Sequence, residues 1–389
     1  MFNRNFSLIL CGNILLGAAM PMLIILGALA GGYLAPVKWM ATFPPTVQLI
    51  VGVAVATPIS LLMGRYGRRA GFLIAACLTI AGGALGAYAL VQQSFSLLCI
   101  SHIILGAGLI CVNYFRFAAA DVVDDQHKAQ AMSVTIASGL VAALVGPQLF
   151  SGLKDLLAPV PFAGAYIGIA ALGALGIIPV AALRIPHDFS KPTRATGNTV
   201  AVLRENPQVV TAIAVAAFAH AIMIFLMIPT PLAMVGCGLD EDQAASVISW
   251  HVVAMFAPGL ITGKLIQKYG STQIAISGLI LLLVAAVIPL TGQTPFQFHA
   301  ALIALGVGWN FGFVGGTYML QTALRPEDRP LVQGINDMIL AICAAVASLA
   351  SGVVFAVLGW AMLATLAVVL VGFGIVAFVT DQYRATGAI

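Results

Sequence analysis

The chain has 389 residues, of which 61% are hydrophobic and only 8% are charged, and its formal net charge at pH 7 is +4. About a quarter of the residues in an ordinary water-soluble domain are charged, so this composition excludes that class and predicts an integral membrane protein. The small basic excess forms no nucleic-acid-binding patch, and we expect no nucleic acid partner.

Apolar stretches long enough to cross a lipid bilayer recur along the whole sequence. A spanning helix needs about 20 mostly apolar residues, and the alternation of polar and apolar residues that marks a membrane β-barrel is absent. We therefore predict an all-α integral membrane protein with twelve transmembrane helices. They lie at about 7–33, 39–63, 70–91, 95–119, 129–151, 162–186, 207–235, 244–266, 272–292, 297–320, 334–357 and 358–380.

The distribution of Lys and Arg predicts how these helices are oriented. With both termini placed in the cytoplasm, most basic residues fall in tails, loops or helix ends on the cytoplasmic side, as the positive-inside rule requires. No cleavage site is evident after the first apolar stretch, which we interpret as a true span and not as a signal peptide.

A short motif occurs twice in the chain. Ser60-Leu-Leu-Met-Gly-Arg-Tyr-Gly67 follows the second predicted helix and matches Gly263-Lys-Leu-Ile-Gln-Lys-Tyr-Gly270 after the eighth. The repeat predicts two pseudo-symmetric six-helix halves, residues 1–186 and 207–389. The one long polar stretch, residues 187–206, is the cytoplasmic linker that we expect between them.

Two motifs on the seventh and eighth predicted helices combine soft metal ligands at helical spacing. Met223 and Met227 are four residues apart, as are His251 and Met255, so each pair shares one face of its helix. Thioether sulfur and neutral imidazole suit Cu(I), and a histidine deep in the membrane is costly to keep. We predict a Cu(I) site, although methionines also fill gaps in packed cores. His220, three residues before Met223, is a candidate further ligand or proton acceptor.

Three other polar residues are candidates for accessory roles. His102 in the fourth helix is either a proton-coupling group or, as we expect, a hydrogen-bonded structural histidine. Asp337 in the eleventh helix is expected to be the most buried acid, as a coupling carboxylate or as a gate or helix-terminal contact. Cys237, at the outer end of the seventh helix, faces the oxidising side, where an incoming metal could meet it.

The basic loop after the second predicted helix resembles a motif of the major facilitator superfamily. That motif usually reads Gly-x-x-x-Asp-Arg-x-Gly-Arg-Arg. Here Arg65, Gly67, Arg68 and Arg69 are present, while Ser replaces the first Gly and Gly replaces the Asp. The resemblance covers essentially the whole chain and implies two halves of six helices, with this loop acting in gating.

Within the superfamily, Met-x-x-x-Met in the seventh helix paired with His-x-x-x-Met in the eighth resembles the CcoA-like copper importers. The resemblance implies a transporter of the bacterial cytoplasmic (inner) membrane that takes up copper as an ion or small complex. It also implies that Met223, Met227, His251 and Met255 handle the metal. Copper chaperones on either side of the membrane are possible partners.

No enzyme motif accompanies these features: the sequence lacks a Walker-type loop, a metal-hydrolase histidine pair and a nucleophile elbow. We therefore predict a secondary-active transporter without a bound cofactor, which imports Cu(I) as its substrate by alternating access. The alternatives are a facilitator for an organic molecule, either riboflavin or an expelled drug, and a nontransporting metal sensor. An aromatic pocket built from Trp250, Trp309 and Tyr318 would favour the organic substrate.

Overall fold

The computed structural model describes residues 3–124, 127–185, 203–204, 206–325 and 329–385. Within these residues ten helical segments are long and apolar enough to cross a membrane. A pair of helices, Glu241–Phe256 and Gly259–Tyr269, is bent by 41° and passes the same test when the two are taken together. The longest of the ten segments contains two helices joined at Gly359. Each of the twelve predicted spans coincides with helix, so the predicted all-α membrane fold is confirmed.

The first part of the chain forms one compact unit, Met1–Pro192 together with Asp240–Ser249. Its first span is broken near Ala18 and its fourth near Tyr114, so each of these spans consists of two helices. The helices are α1 (Arg4–Gly17), α2 (Ala19–Leu34), α3 (Phe43–Tyr66), α4 (Arg68–Val91), α5 (Phe95–Val112), α6 (Phe115–Asp121), α7 (Lys128–Leu153) and α8 (Ala163–Ala181).

The second compact unit is Thr193–Leu239 together with Trp250–Ile389. The helices that follow α8 in the chain are α9 (Pro207–Met227), α10 (Thr230–Gly236), α11 (Glu241–Phe256), α12 (Gly259–Tyr269), α13 (Ser271–Val287), α14 (Pro295–Ala323) and α15 (Arg329–Ala385). Of these, α11 begins in the first unit and ends in the second. Nearly all of the predicted linker lies outside the described residues, so the division at 187–206 stays a prediction.

Helices of the second unit approach one another closely through small residues. Helix α9 packs against α14 and α15, and α13 packs against α14. A Cβ atom on Gly278 of α13 would lie 2.2 Å from the backbone nitrogen of Gly312 in α14. Only glycine permits this approach, which is a common packing mode of membrane helices.

The two copies of the repeated motif have the same backbone geometry. Gly67 joins α3 to α4 with φ 86° and ψ 160°, and Gly270 joins α12 to α13 with φ 89° and ψ 151°. Glycine adopts such φ values without the strain that a Cβ imposes. Before each glycine a basic side chain lies over the ring of the intervening tyrosine, Arg65 at 5.3 Å and Lys268 at 5.0 Å from the centroid. The sequence repeat is thus also a structural repeat.

Candidate functional site

The four residues predicted to handle copper are all buried. Met223 and Met227 on α9 are 2% and 3% exposed, and His251 and Met255 on α11 are 0% and 3% exposed. Protein therefore covers all four, and each pair lies one turn apart on its own helix. No group of three or more His, Cys, Asp and Glu side chains among the described residues is placed to hold a metal. A metal here would depend on methionine sulfur and histidine.

His251 is held by the backbone of helix α14. Its Nδ1–H donates to the carbonyl oxygen of Leu302 at 2.7 Å. Gly306 permits this approach, because a Cβ there would lie 2.7 Å from the His251 carbonyl oxygen. A neutral imidazole carries one ring proton, so Nε2 holds a lone pair. That buried atom has no hydrogen-bond partner among the described residues, and His251 presents an unoccupied acceptor inside the protein.

In His220 on α9, Nδ1 is the acceptor and not the donor that it is in His251. The indole N–H of Trp309 donates to Nδ1 of His220 at 3.0 Å. Because an indole N–H can only donate, Nδ1 is the acceptor and the proton of the neutral imidazole is on Nε2. A metal ligand or proton acceptor needs a free lone pair, which this ring does not have. The geometry therefore speaks against the accessory role expected for His220 and makes it a hydrogen-bond donor.

Four rings, those of His220, Phe256, Trp309 and Phe313, form an aromatic cluster in the second unit. Trp309 and Phe313, one turn apart on α14, stack with ring centroids 4.9 Å apart and planes at 16°. Phe256 meets Trp309 edge-on at 6.3 Å, and His220 lies 6.0 Å from Phe313. Trp309 is buried and the other three residues are half-buried. The cluster thus offers flat apolar faces beside one ring N–H.

The aromatic pocket that would favour an organic substrate was considered with other residues than those of the aromatic cluster. Trp250 and Tyr318 are 52% and 46% exposed, and of the three residues considered only Trp309 belongs to the aromatic cluster. The spacing of Trp309 and Phe313 was a usable signal, because residues four apart share a helical face. No local signal connected Phe256 or His220 to them, since those residues lie on other helices.

A break between α11 and α12 places Phe256 in the aromatic cluster. Pro258 has no backbone N–H, so the helical ladder is interrupted before it. Asn310 of α14 forms hydrogen bonds on both sides of the break. Its Nδ2 donates to the Met255 carbonyl at 2.8 Å, and its Oδ1 accepts from the Thr262 hydroxyl at 2.7 Å. Buried Asn310 therefore fixes the ends of both helices to α14.

In the first unit, His102 is hydrogen-bonded at both ring nitrogens. Nδ1–H donates to the Gln48 Oε1 atom at 2.8 Å, and Nε2 accepts from the Tyr166 hydroxyl at 2.8 Å. Gly86 makes room for this tyrosine, because a Cβ there would lie 2.4 Å from the Tyr166 ring. The network joins α3, α5 and α8 and agrees with a structural histidine; proton coupling by His102 stays a prediction.

The basic loop that the sequence assigns to gating begins α4. Arg68 forms an ion pair with Asp121, with Nε and Oδ2 3.2 Å apart, and this pair ties the start of α4 to the end of α6. Arg65 and Arg69 are exposed. The role of the loop in gating stays a prediction.

Two further accessory candidates have environments that differ from expectation. The Cys237 thiol donates to the Oε1 atom of Gln293 at 2.9 Å, and burial raises the pKa of the thiol, which disfavours the thiolate that binds metal. Asp337 is exposed, so the expectation that it is the most buried acid is wrong. Its Oδ1 accepts a hydrogen bond from the buried neighbour Asn336 at 3.1 Å.

Comparison with known proteins gives consistent family matches. Residues 210–388 match the family model described as Major Facilitator Superfamily. The chain is 36% identical over 360 residues to "Riboflavin transporter RfnT" of Brucella anthropi, covering 92% of this chain and 90% of the relative. It is 31% identical over 386 residues to the uncharacterized MFS-type transporter YddS of Bacillus subtilis, covering 92% and 86%.

Solved structures share the fold at lower sequence identity. Two structures of the nucleoside transporter NupG match with TM-scores of 0.77 and 0.72 at 15% and 17% identity, each covering 97% of this chain and 99% of NupG. The human organic anion transporter MFSD10 matches with a TM-score of 0.66 at 13% identity, covering 96% and 99%. No copper importer is among these relatives, so membership of the copper-importer group stays a prediction.

Proposed function

Because this chain belongs to the major facilitator superfamily, we propose that it transports riboflavin, or a flat heteroaromatic compound like it, across the bacterial cytoplasmic membrane. The observation that carries the proposal is the aromatic cluster of His220, Phe256, Trp309 and Phe313, which contains no formally charged side chain. The similarity to a riboflavin transporter along nearly the whole chain supports the same substrate.

The chemistry of the aromatic cluster fits a neutral planar substrate. Stacked or edge-on aromatic pairs contribute about 0.5–1.5 kcal/mol beyond the area that they bury. Phe256 and Phe313 are half-buried, so part of each side chain remains accessible for such a pairing. Transporters of this fold expose a site near the membrane midplane to one side and then to the other. We place both termini of this chain in the cytoplasm on the basis of its basic residues.

Uptake of radiolabelled riboflavin tests the proposal, in cells that neither make nor import the vitamin. We expect uptake by the wild-type chain and a reduction of about tenfold in Phe313→Ala, which loses one aromatic contact of the kind described above. Phe296→Ala is the matched control, because Phe296 lies on the same helix and is 77% exposed. Absence of uptake by a well-expressed wild-type chain, or equal effects of both substitutions, would reject the proposal.

Copper import is a second candidate, favoured by the buried lone pair of His251. Its Nε2 has no partner among the described residues, and buried Met255 lies one turn further along α11. Imidazole nitrogen and thioether sulfur are suitable ligands for Cu(I). In this case the substrate is a copper ion or small copper complex, with copper chaperones as partners on either side.

Radiocopper uptake under mild reductant separates the two candidates. The Met227→Ala/His251→Ala variant is compared with wild type at equal membrane abundance, and Met362→Ala/His299→Ala serves as a control outside the predicted site. Copper uptake by wild type that only the first variant abolishes would establish copper transport. If no chain accumulates copper while wild type accumulates riboflavin, copper is rejected.

A further inference from the structure

The hydrogen bond between Trp309 and His220 determines what His220 can offer to a ligand. The indole N–H can only donate, so it occupies the lone pair of His220 Nδ1 at 3.0 Å. The neutral ring then has its single proton on Nε2 and no acceptor atom left. Rotation of the ring would turn a ring C–H or the Nε2–H group toward the indole N–H and lose this hydrogen bond, so Trp309 fixes both the tautomer and the orientation.

The remaining N–H of His220 is available for bonding. The side chain is half-buried, and among the described residues the ring has contacts with Trp309 and Phe313 but no hydrogen-bond partner at Nε2. Its surroundings in the aromatic cluster are apolar, where an unmade hydrogen bond is costly. A ligand that stacks on the half-buried rings would therefore gain from an acceptor atom at its edge.

We propose that His220 Nε2–H recognises a carbonyl oxygen on the edge of a flat heteroaromatic substrate, as at the pyrimidine-dione end of riboflavin, and that Trp309 is the positioning residue that holds this donor. The inference rests on the proposed function and extends it to a substrate class. The site accepts ring carbonyls, found in lactams, imides and quinones. It disfavours rings whose edge carries only N–H donors, because two donors would then oppose each other.

The direct test compares riboflavin with an analogue in which a dione oxygen is replaced by sulfur, a weaker hydrogen-bond acceptor. Binding to the purified full chain is measured by quenching of flavin fluorescence, and the ratio of the two dissociation constants is the readout. We expect wild type to prefer riboflavin by about tenfold, a usual size for one hydrogen bond to a ligand. His220→Leu should reduce this ratio to near one, whereas His220→Gln, which retains an N–H donor, should keep most of the preference.

Two further variants separate recognition from a structural role. Trp309→Phe keeps an aromatic ring in the stack but removes the N–H that fixes His220, and we expect the ratio to fall to about threefold, since the donor is present but no longer held. His299→Leu is the matched histidine control, because His299 on α14 bonds to the carbonyl oxygen of Pro295 on its own helix, and it should leave the ratio unchanged.

The outcomes distinguish this inference from the proposed function. If wild type binds riboflavin and His220→Leu keeps the full preference for oxygen over sulfur, recognition by His220 is wrong and flavin transport stands. If the well-folded wild type binds neither compound, the proposed function and the inference built on it are both wrong. A ratio that falls in His220→Leu and Trp309→Phe, but not in His299→Leu, supports both.

Discussion

Three histidines inside the helices differ in how completely their ring nitrogens are hydrogen-bonded. In the first unit His102 has a partner at each nitrogen. In the second unit His220 and His251 each have one bonded nitrogen, and the remaining nitrogen carries a proton in His220 but a lone pair in His251. A completed set of bonds stabilises the fold, whereas an incomplete one leaves an atom for a substrate. Burial alone does not separate the two roles, because His251 is as buried as His102.

The largest effect on stability is expected from His102→Leu. The substitution removes two hydrogen bonds and leaves the polar atoms of Gln48 and Tyr166 without their partner in an apolar interior. We expect a loss of about 3 kcal/mol in the free energy of unfolding, visible as a lower midpoint of thermal denaturation in detergent. A thermal midpoint equal to that of wild type would show that His102 is not structural.

A smaller loss is expected from Asn310→Leu in the second unit. The amide of Asn310 bridges the break between α11 and α12 by hydrogen bonds to Met255 and Thr262. Interhelical hydrogen bonds in membrane proteins contribute about 0.6 kcal/mol on average, and the freed carbonyl adds to the loss, so we expect about 2 kcal/mol in total. Thermal denaturation measures it, with the substitution of exposed Gln92 by Leu as control. A loss of this size would show that completed hydrogen bonds, and not membership of one unit, mark a structural residue.

His251→Leu is expected to change stability by less than about 1 kcal/mol in either direction. It removes the bond to Leu302 but also removes a buried lone pair that has no partner among the described residues, and such effects offset each other. Ligand-free protein is compared by thermal denaturation, beside the His102 variant. A loss as large as that of His102→Leu would contradict the distinction between the two histidines.

The spans were predictable because their signal is local. Uninterrupted apolar stretches of sufficient length determine where helices cross a membrane, whatever their neighbours. The repeated loop was equally readable, since Gly67 and Gly270 occupy backbone conformations that other residues avoid. Helical spacing likewise places Met223 and Met227 on one face of α9, but it does not determine which helix either residue contacts.

The candidate site was less predictable because its chemistry depends on contacts between distant residues. His220 is a donor because of Trp309, which lies 89 positions away in the chain, and His251 is an acceptor because of Leu302, 51 positions away. Residue type alone allows either tautomer for both. The exposure of Asp337 was missed for the same reason, since depth along a helix does not fix the direction of a side chain.

The smallest effect on stability is expected from an ion-paired lysine near the surface. Lys154, between α7 and α8, forms ion pairs with Asp155 at 2.7 Å and with Glu241 at 3.6 Å. The hydrogen bond that Lys154 donates to Asp155, more than the surrounding acidic charge, raises the pKa of Lys154 above its ordinary value of 10.5, against the opposing effect of burial. The Asp155 side chain is 73% exposed, and an ion pair with so exposed a partner contributes about 0.5 kcal/mol to stability.

The raised pKa of Lys154 sets the direction of the pH dependence. Because the folded state holds the proton more tightly than the unfolded state, the stabilisation is fully present below pH 10.5 and is lost as the pH rises through the folded pKa. Wild type should therefore have a higher midpoint of thermal denaturation than Lys154→Gln at pH 8. The difference should vanish above the folded pKa, which is higher than 10.5. It should also shrink in high salt, because screening weakens exposed pairs. A difference that persists unchanged above that pH would assign the role of Lys154 to the packing of its aliphatic stem instead of to its charge.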